Sequence, residues 1–192
     1  MKQDARMVFN YSTNPDTVGK VLILSLGGSG IERASDDLNE NLRLSLDLIP
    51  YLKDNAQVID CVALAQKDSS DLTVFEVANI AATIFRYQNE YDGFVVVGGM
   101  DSMPYYSCST AFALRGLGAP VIFTGATQSA RDWDSDFRLN LPNAIKVATM
   151  GARNVNASSV GETAIIFDDS LSRATASINK GTRSNNPIIT PR

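Results

Sequence analysis

The sequence predicts a doubly wound, three-layer α/β/α domain with a mainly parallel sheet. Three observations carry that expectation. Short β-rich runs recur along the 192 residues, helical patterns separate them, and several runs are apolar without alternation, as strands covered on both faces must be. Strictly alternating strands and helices place a parallel sheet between two helical layers.

The elements follow in order. VLILSL (21–26) is the first strand and ends at Gly27-Gly28. DLNENLRLSLDLI (37–49) reads as a helix that stops before Pro50, its leading acids suiting the positive end of the helix dipole. QVIDCVALA (57–65) is the second strand. TVFEVANIAATIFRYQNE (73–90) is the clearest helix, with Thr73 and Glu76 spaced as a capping box and Phe75, Ala78, Ala81 and Phe85 on one face. GFVVVGG (93–99) is the third strand. A helix from about Tyr105 to Arg115 follows and stops at Gly116 and Gly118. PVIFTGA (120–126) is the fourth strand, and a helix beginning near Ser135 carries Ile145, Val147 and Ala148 before Gly151. TAIIFDD (163–169) is the fifth strand. The expected organisation is a polar N-terminal extension over 1–20, the α/β domain over 21–169, and a Ser/Thr/Asn-rich tail over 170–192. That tail is a hairpin or strap too short to hold a second core.

Composition narrows the function. Seventeen basic against twenty-one acidic residues give a formal charge of −4, and no window concentrates Lys or Arg, so a nucleic-acid partner is not expected. The N-terminus has no apolar signal core and no run reaches membrane-spanning length, which predicts a soluble, cytoplasmic protein without a membrane partner. Cys61 and Cys108 form neither a metal spacing nor a disulfide framework and read as buried thiols. Histidine is absent, so acid–base chemistry must use Asp, Glu, Lys or Tyr.

In an open α/β sheet the ligand site lies beyond the carboxyl ends of the strands. That rule selects GGSGIE (27–32), QKDSSD (66–71), GGMDSM (98–103), TGATQS (124–129) and the DDS that opens the tail. They carry Ser29, Asp68, Ser69, Ser70, Asp71, Asp101, Ser102 and Thr124. The glycine turn is no phosphate cradle: a P-loop needs a Lys that is missing, and a dinucleotide fingerprint needs Gly or Ala where Arg33 stands and an acid after the next strand. It suits a nucleophile instead, with an exposed hydroxyl at Ser29 and backbone N–H groups for an oxyanion. Without histidine the activating base must come from other loops, with Asp101 and a tail cation as candidates. The alternatives are structural. Ser29 or Asp101 could cap a helix, Ser69 could be a solvated turn, Met100 could pack over the sheet end, and Lys180 could be a solvated charge. Asp71 and Thr73 read as caps.

Strand-GG-S-x-I at 27–31, DSSDLT at 68–73, YDGFVVVGGMDSM at 91–103, APVIFTGA at 119–126 and NLPNAIKVA at 140–148 together resemble the bacterial-type L-asparaginase and glutaminase family, across nearly the whole chain from Val21. The resemblance implies an α/β domain that hydrolyses a side-chain amide and releases ammonia, without a metal or organic cofactor. It places Ser29 at the family's first threonine, the nucleophile, and Gly28 beside it as backbone. Ser69 and Ser70 then bind the substrate's carboxylate end, Asp101 its α-ammonium, and Lys180 is the nearest counterpart of the family's lysine, offset by about one residue. It also implies a homo-oligomer, dimer or tetramer, with an amino-acid amide as the small-molecule partner. Four departures accompany it. Met100 replaces the second catalytic threonine with a thioether that cannot relay a proton. The segment IERASDDLNE after Ser29 lacks the tyrosine of the family's mobile closing loop. The lysine is offset, and the chain matches the family's N-terminal domain only, with its C-terminal domain absent. The expected activity is therefore hydrolysis of L-asparagine, or L-glutamine, at reduced power. An inactive amino-acid-binding homologue, or a subunit whose site another chain completes, is the alternative.

Overall fold

A computed structural model describes residues 7–153, 160–181 and 188–190. The strands are β1 (Phe9–Thr13), β2 (Lys20–Ser25), β3 (Val58–Ala63), β4 (Gly93–Val97), β5 (Val121–Thr124), β6 (Thr163–Phe167), β7 (Ser170–Arg173), β8 (Ile178–Asn179) and β9 (Ile188–Ile189). The helices are α1 (Leu38–Asp47), α2 (Val74–Tyr87), α3 (Met103–Ala113), α4 (Phe137–Ala148) and α5 (Met150–Arg153). Seven strands form one sheet in the order β1-β3-β2-β4-β5-β6-β7, parallel from β3 to β6 and antiparallel at both edges. This is the doubly wound α/β architecture that the alternation predicts.

The period of two along each strand builds two cores. Val21 and Ile23 of β2, with Ile59, Val95, Val97 and Ile122, face Leu42 and Leu46 of α1 and Phe137, Leu141 and Ile145 of α4. Leu22 and Leu24, with Val62, Phe94, Val96 and Phe123, face Ile80 and Ile84 of α2 and Met103 and Tyr106 of α3. Helices on both faces cover the central strands on both sides, which is why β4 is buried at all five positions.

Several expectations are corrected. Residues 9–13, read as part of a polar extension, are an edge strand paired antiparallel with β3 across a bulge between Asn10 and Ser12. The bulge breaks the alternation that would have marked FNYST as a strand. Tyr11 is buried and its hydroxyl donates to Asp47 at 3.0 Å, while Asn10 donates to Asp60 at 2.7 Å. In the tail, β7 pairs antiparallel with β6 of the domain, and β8 pairs β9; residues 182–187 and 191–192 of that tail, and 1–6 of the extension, lie outside the described residues. The predicted face of α2 is only partly the buried one: of its four residues Ala81 is buried, while Phe75, Ala78 and Phe85 are exposed. Ile80, Ala81 and Ile84 are buried, whereas Phe75 and Phe85 are 80% and 66% exposed. The helix is apolar nearly all round, so packing against the sheet decided the face. Gly151 lies within α5 instead of ending α4, and Cys108 is only half-buried.

Candidate functional site

Among the parallel strands the chain order reverses at β2: β3 lies on one side of it, and β4 is reached by crossing to the other. The β2 and β4 carboxyl ends therefore flank the switch point, where open α/β sheets leave a crevice for ligands. Gly27 and Gly28 take φ of 101° and 86° there. A Cβ on Gly28 would stand 2.6 Å from the backbone nitrogen of Gly99, and one on Gly27 would stand 2.8 Å from that of Lys67. Only glycine allows these three strand ends to meet backbone to backbone.

Ser29 follows on the turn, exposed, where Ile31 N–H donates to Gly28 C=O at 3.1 Å. It caps no helix, since Asp37 caps α1 through the amides of Asn39 and Glu40. Among the described residues, its hydroxyl has no hydrogen-bond partner, and the N–H groups of Gly28, Ser29 and Gly30 donate to no acceptor. Three consecutive N–H groups without an acceptor, on and beside the residue that carries a free hydroxyl, leave donors open to an incoming oxygen. Behind it, Gly30 packs on the buried ring of Phe137, where a Cβ would come within 3.0 Å.

From β3, Ser69 is buried and its Oγ accepts from Ser102 N–H at 3.2 Å, so it is no solvated turn. It also abuts Gly99, whose Cβ would lie 2.9 Å from that of Ser69. Ser70 beside it is exposed, and Asp68 forms an exposed ion pair with Arg33 at 3.4 Å. Thr73 does cap α2, in a full capping box with Glu76. Glu76 also takes the Lys67 ammonium at 2.6 Å, and this pair, with Thr73, lowers its carboxyl to about pKa 2.

From β4, Met100 is buried in the core over the sheet end, and Asp101 is exposed. Asp101 is not the cap of α3, because Ser102 holds that position. The turn is fixed through its carbonyls: Tyr106 hydroxyl donates to Gly99 at 2.8 Å, and Asn179 Nδ2 donates to Met100 and Asp101 at 3.2 Å each. The carboxylate of Asp101 has no protein partner among the described residues. Burial pushes the Tyr106 hydroxyl well above its ordinary pKa, so it stays a donor.

The structure thus gathers Gly28, Ser69 and the 99–102 turn, with Ser29 and Ser70 adjoining. The tail side chain that reaches this turn is Asn179; Lys180, next to it, is exposed, with no ion pair among the described residues. Nothing local in the sequence distinguishes the two, since the choice follows from the pairing of Asn179 with Ile188. Thr124, another sequence candidate, is buried and donates to Ile166 C=O at 3.0 Å, a structural role. A cavity of about 540 Å³ between α2 and α3 shares Ser69, Ser70 and Ser102 with the site but includes neither Ser29 nor Asp101. Among the described residues no helix is long and apolar enough to cross a membrane.

A doubly wound sheet whose switch point carries a hydroxyl on a glycine turn and a free carboxylate on the next strand belongs to the α/β class in which the strand ends are the usual place for a ligand. The sequence pattern of the family described as "Asparaginase, N-terminal" matches residues 20–187. The chain belongs to that family. It is 42% identical to L-asparaginase 1 of Escherichia coli (strain K12) over 81 residues, 42% of this chain and 24% of that protein. The crystal structure of L-asparaginase I from Vibrio cholerae O1 biovar eltor str. N16961 superposes with a TM-score of 0.73 at 25% identity, covering 91% of this chain and 52% of that one. The probable cytoplasmic L-asparaginase from Campylobacter jejuni gives 0.76 at 21% identity, covering 90% and 51%, and shows the shared fold. The chain spans about half the length of these solved relatives.

Proposed function

We propose that the crevice binds an amino-acid amide and hydrolyses it to the acid and ammonia, L-asparagine first and L-glutamine as the longer alternative. The observation that carries this reading is the Ser29 hydroxyl amid three unpaired N–H groups, on a turn packed against the Gly99 backbone two residues before Asp101. Ser69 and Ser70 take the substrate's carboxylate and Asp101 its α-ammonium, a charge-assisted contact. Ser29 Oγ attacks the amide carbon, and the open N–H groups of residues 28–30 hold the oxygen as it gains charge. The Ser29 proton passes to the departing nitrogen, and because Asn179 rather than Lys180 is turned to the site, the Lys180 ammonium is not its shuttle. Ammonia leaves and water then hydrolyses the ester, restoring Ser29. The working protein is a cytoplasmic homo-oligomer in this reading. The exposed Val74, Phe75, Phe85 and Tyr105 on α2 and α3 support an interface.

A second reading is an amino-acid-binding homologue with little turnover, or a subunit completed by another chain. It is favoured by Met100, a core thioether at the position of the family's second threonine, and by the amide of Asn179 at the turn, neither of which relays a proton. Ammonia release from L-asparagine and L-glutamine, with Ser29→Ala and Asp101→Ala alongside, decides between them. Turnover lost in both variants supports hydrolysis at Ser29. No ammonia, with an Asp101-dependent rise in melting temperature on adding L-asparagine, supports binding alone. Under the hydrolytic reading Met100→Thr raises kcat by at least about tenfold, as a general acid–base contribution should; an unchanged rate would remove the relay argument.

A further inference from the structure

The segment after Ser29 is irregular, polar and on the surface, the kind of loop that ordinarily moves. Here side chains from two other elements hold it. Ser45 Oγ accepts the Glu32 N–H at 2.8 Å, and Gln66 Nε2 donates to the Glu32 carbonyl at 2.8 Å. Asn41 Oδ1 accepts from both Ala34 and Ser35, at 2.9 and 2.8 Å. Asn41 Nδ2 donates to the Ser35 carbonyl at 2.7 Å and to Gln66 Oε1 at 2.8 Å. Asn41 and Ser45 are fully buried on α1. An amide offers two donors and two acceptor lone pairs, and all four of Asn41 are used.

The far side of the segment is tied as well. The Glu32 carboxylate takes the Ser129 hydroxyl at 2.5 Å and the Arg131 guanidinium at 2.9 Å, joining it to the loop after β5. Ile31, two residues past Ser29, is buried in the α1/α4 core. A flap that opens and shuts would have to break this set together and strand a buried amide, which a native fold resists.

We infer that Asn41 is a positioning residue that makes residues 31–35 a fixed strap behind the Ser29 turn, so that this side of the site is preformed and does not close over the ligand. The inference rests on the proposed reading of the crevice as a ligand site. Asn41 acts through the strap and touches no substrate.

Amide hydrogen exchange on the full chain, with and without L-asparagine, tests it. Wild-type Glu32, Ala34 and Ser35 are expected to exchange at least about 100-fold slower than free amides, equally with and without L-asparagine. Asn41→Leu keeps the volume but removes the acceptor of the Ala34 and Ser35 N–H groups along with both donors, and brings those two amides to within about tenfold of free exchange while β2 and β4 stay protected. Gln66→Leu removes the outer half of the clamp and loosens them less. Leu46→Ala, a core change on the same helix, lowers the melting temperature without singling out the strap. If Asn41→Leu does not fold, Gln66→Leu and the wild-type comparison decide. Free exchange of Ala34 and Ser35 in the wild type, or protection that appears only with L-asparagine, would overturn the strap. Ammonia release is scored separately: its absence removes the hydrolytic reading and leaves the exchange result standing, while a mobile strap with normal turnover removes only this inference.

Discussion

On the Ser29 side of the crevice, five backbone groups of residues 32–35 are held by Asn41, Ser45 and Gln66. On the Asp101 side, the turn is held by Tyr106, by Ser69, and by Asn179 from 78 residues further along the chain. The first set of anchors lies on α1 and at the end of β3, inside the central fold. The second depends partly on a two-residue strand, β8. The free groups differ as well: one side offers a hydroxyl with unpaired N–H donors, the other a carboxylate. In the proposed reading a ligand bearing an ammonium and an amide meets both, and among the described residues it is the second side that takes part of its shape from the tail.

The largest expected effect breaks the Ser29 side from behind. Phe137→Ala removes a fully buried ring that backs Gly30 and costs about 3–5 kcal/mol in denaturant unfolding. A loss under about 1 kcal/mol would mean that the turn does not rest on that ring. Next is Gly28→Ala, which places a methyl against Gly99 at positive φ and costs about 2–3 kcal/mol by the same measurement. It should also abolish any L-asparagine-induced rise in melting temperature; a retained rise would show that the β2 and β4 turns need not touch.

Asn179→Ala sharpens the contrast. It frees two carbonyls and is expected to cost about 1 kcal/mol, weakening L-asparagine binding while leaving Ala34 and Ser35 protected from exchange. Loosening of both sides together would show them to be one unit. The smallest effect is a pH dependence at the foot of α2. Glu76 is held near pKa 2 by Lys67 and Thr73, below the ordinary carboxylate value. A lowered folded pKa gives stability that is present above the unfolded value and is lost as pH falls from about 4.5 towards 2. Lys67 is 41% exposed, so the contribution is below about 1 kcal/mol. Glu76→Gln should flatten that part of a stability-against-pH curve, and an unchanged slope would assign the acid sensitivity elsewhere.

Apolar runs without alternation specify strands covered on both faces, and glycine pairs at their ends specify close turns, so the layered sheet and the loops of the site were legible from local pattern. The capping box of Thr73 and Glu76 was legible for the same reason, because its partners are three residues apart. Other features rest on contacts between distant residues. The edge strand at Phe9–Thr13 depends on pairing with β3 across a bulge. The outward turn of Phe75 and Phe85 reflects competition between two apolar faces for one sheet. The arrival of Asn179 at Met100 and Asp101 follows from strand register, which no local pattern records, and a shift of one residue would present Lys180 instead. The clamp on residues 32–35 joins a loop, a helix and a strand end through one buried amide, and only the folded chain brings those together. The sequence by itself therefore determined the sheet and its glycine turns, through local steric and hydrophobic preference, while tertiary packing and register decided which side chains stand around Ser29 and Asp101.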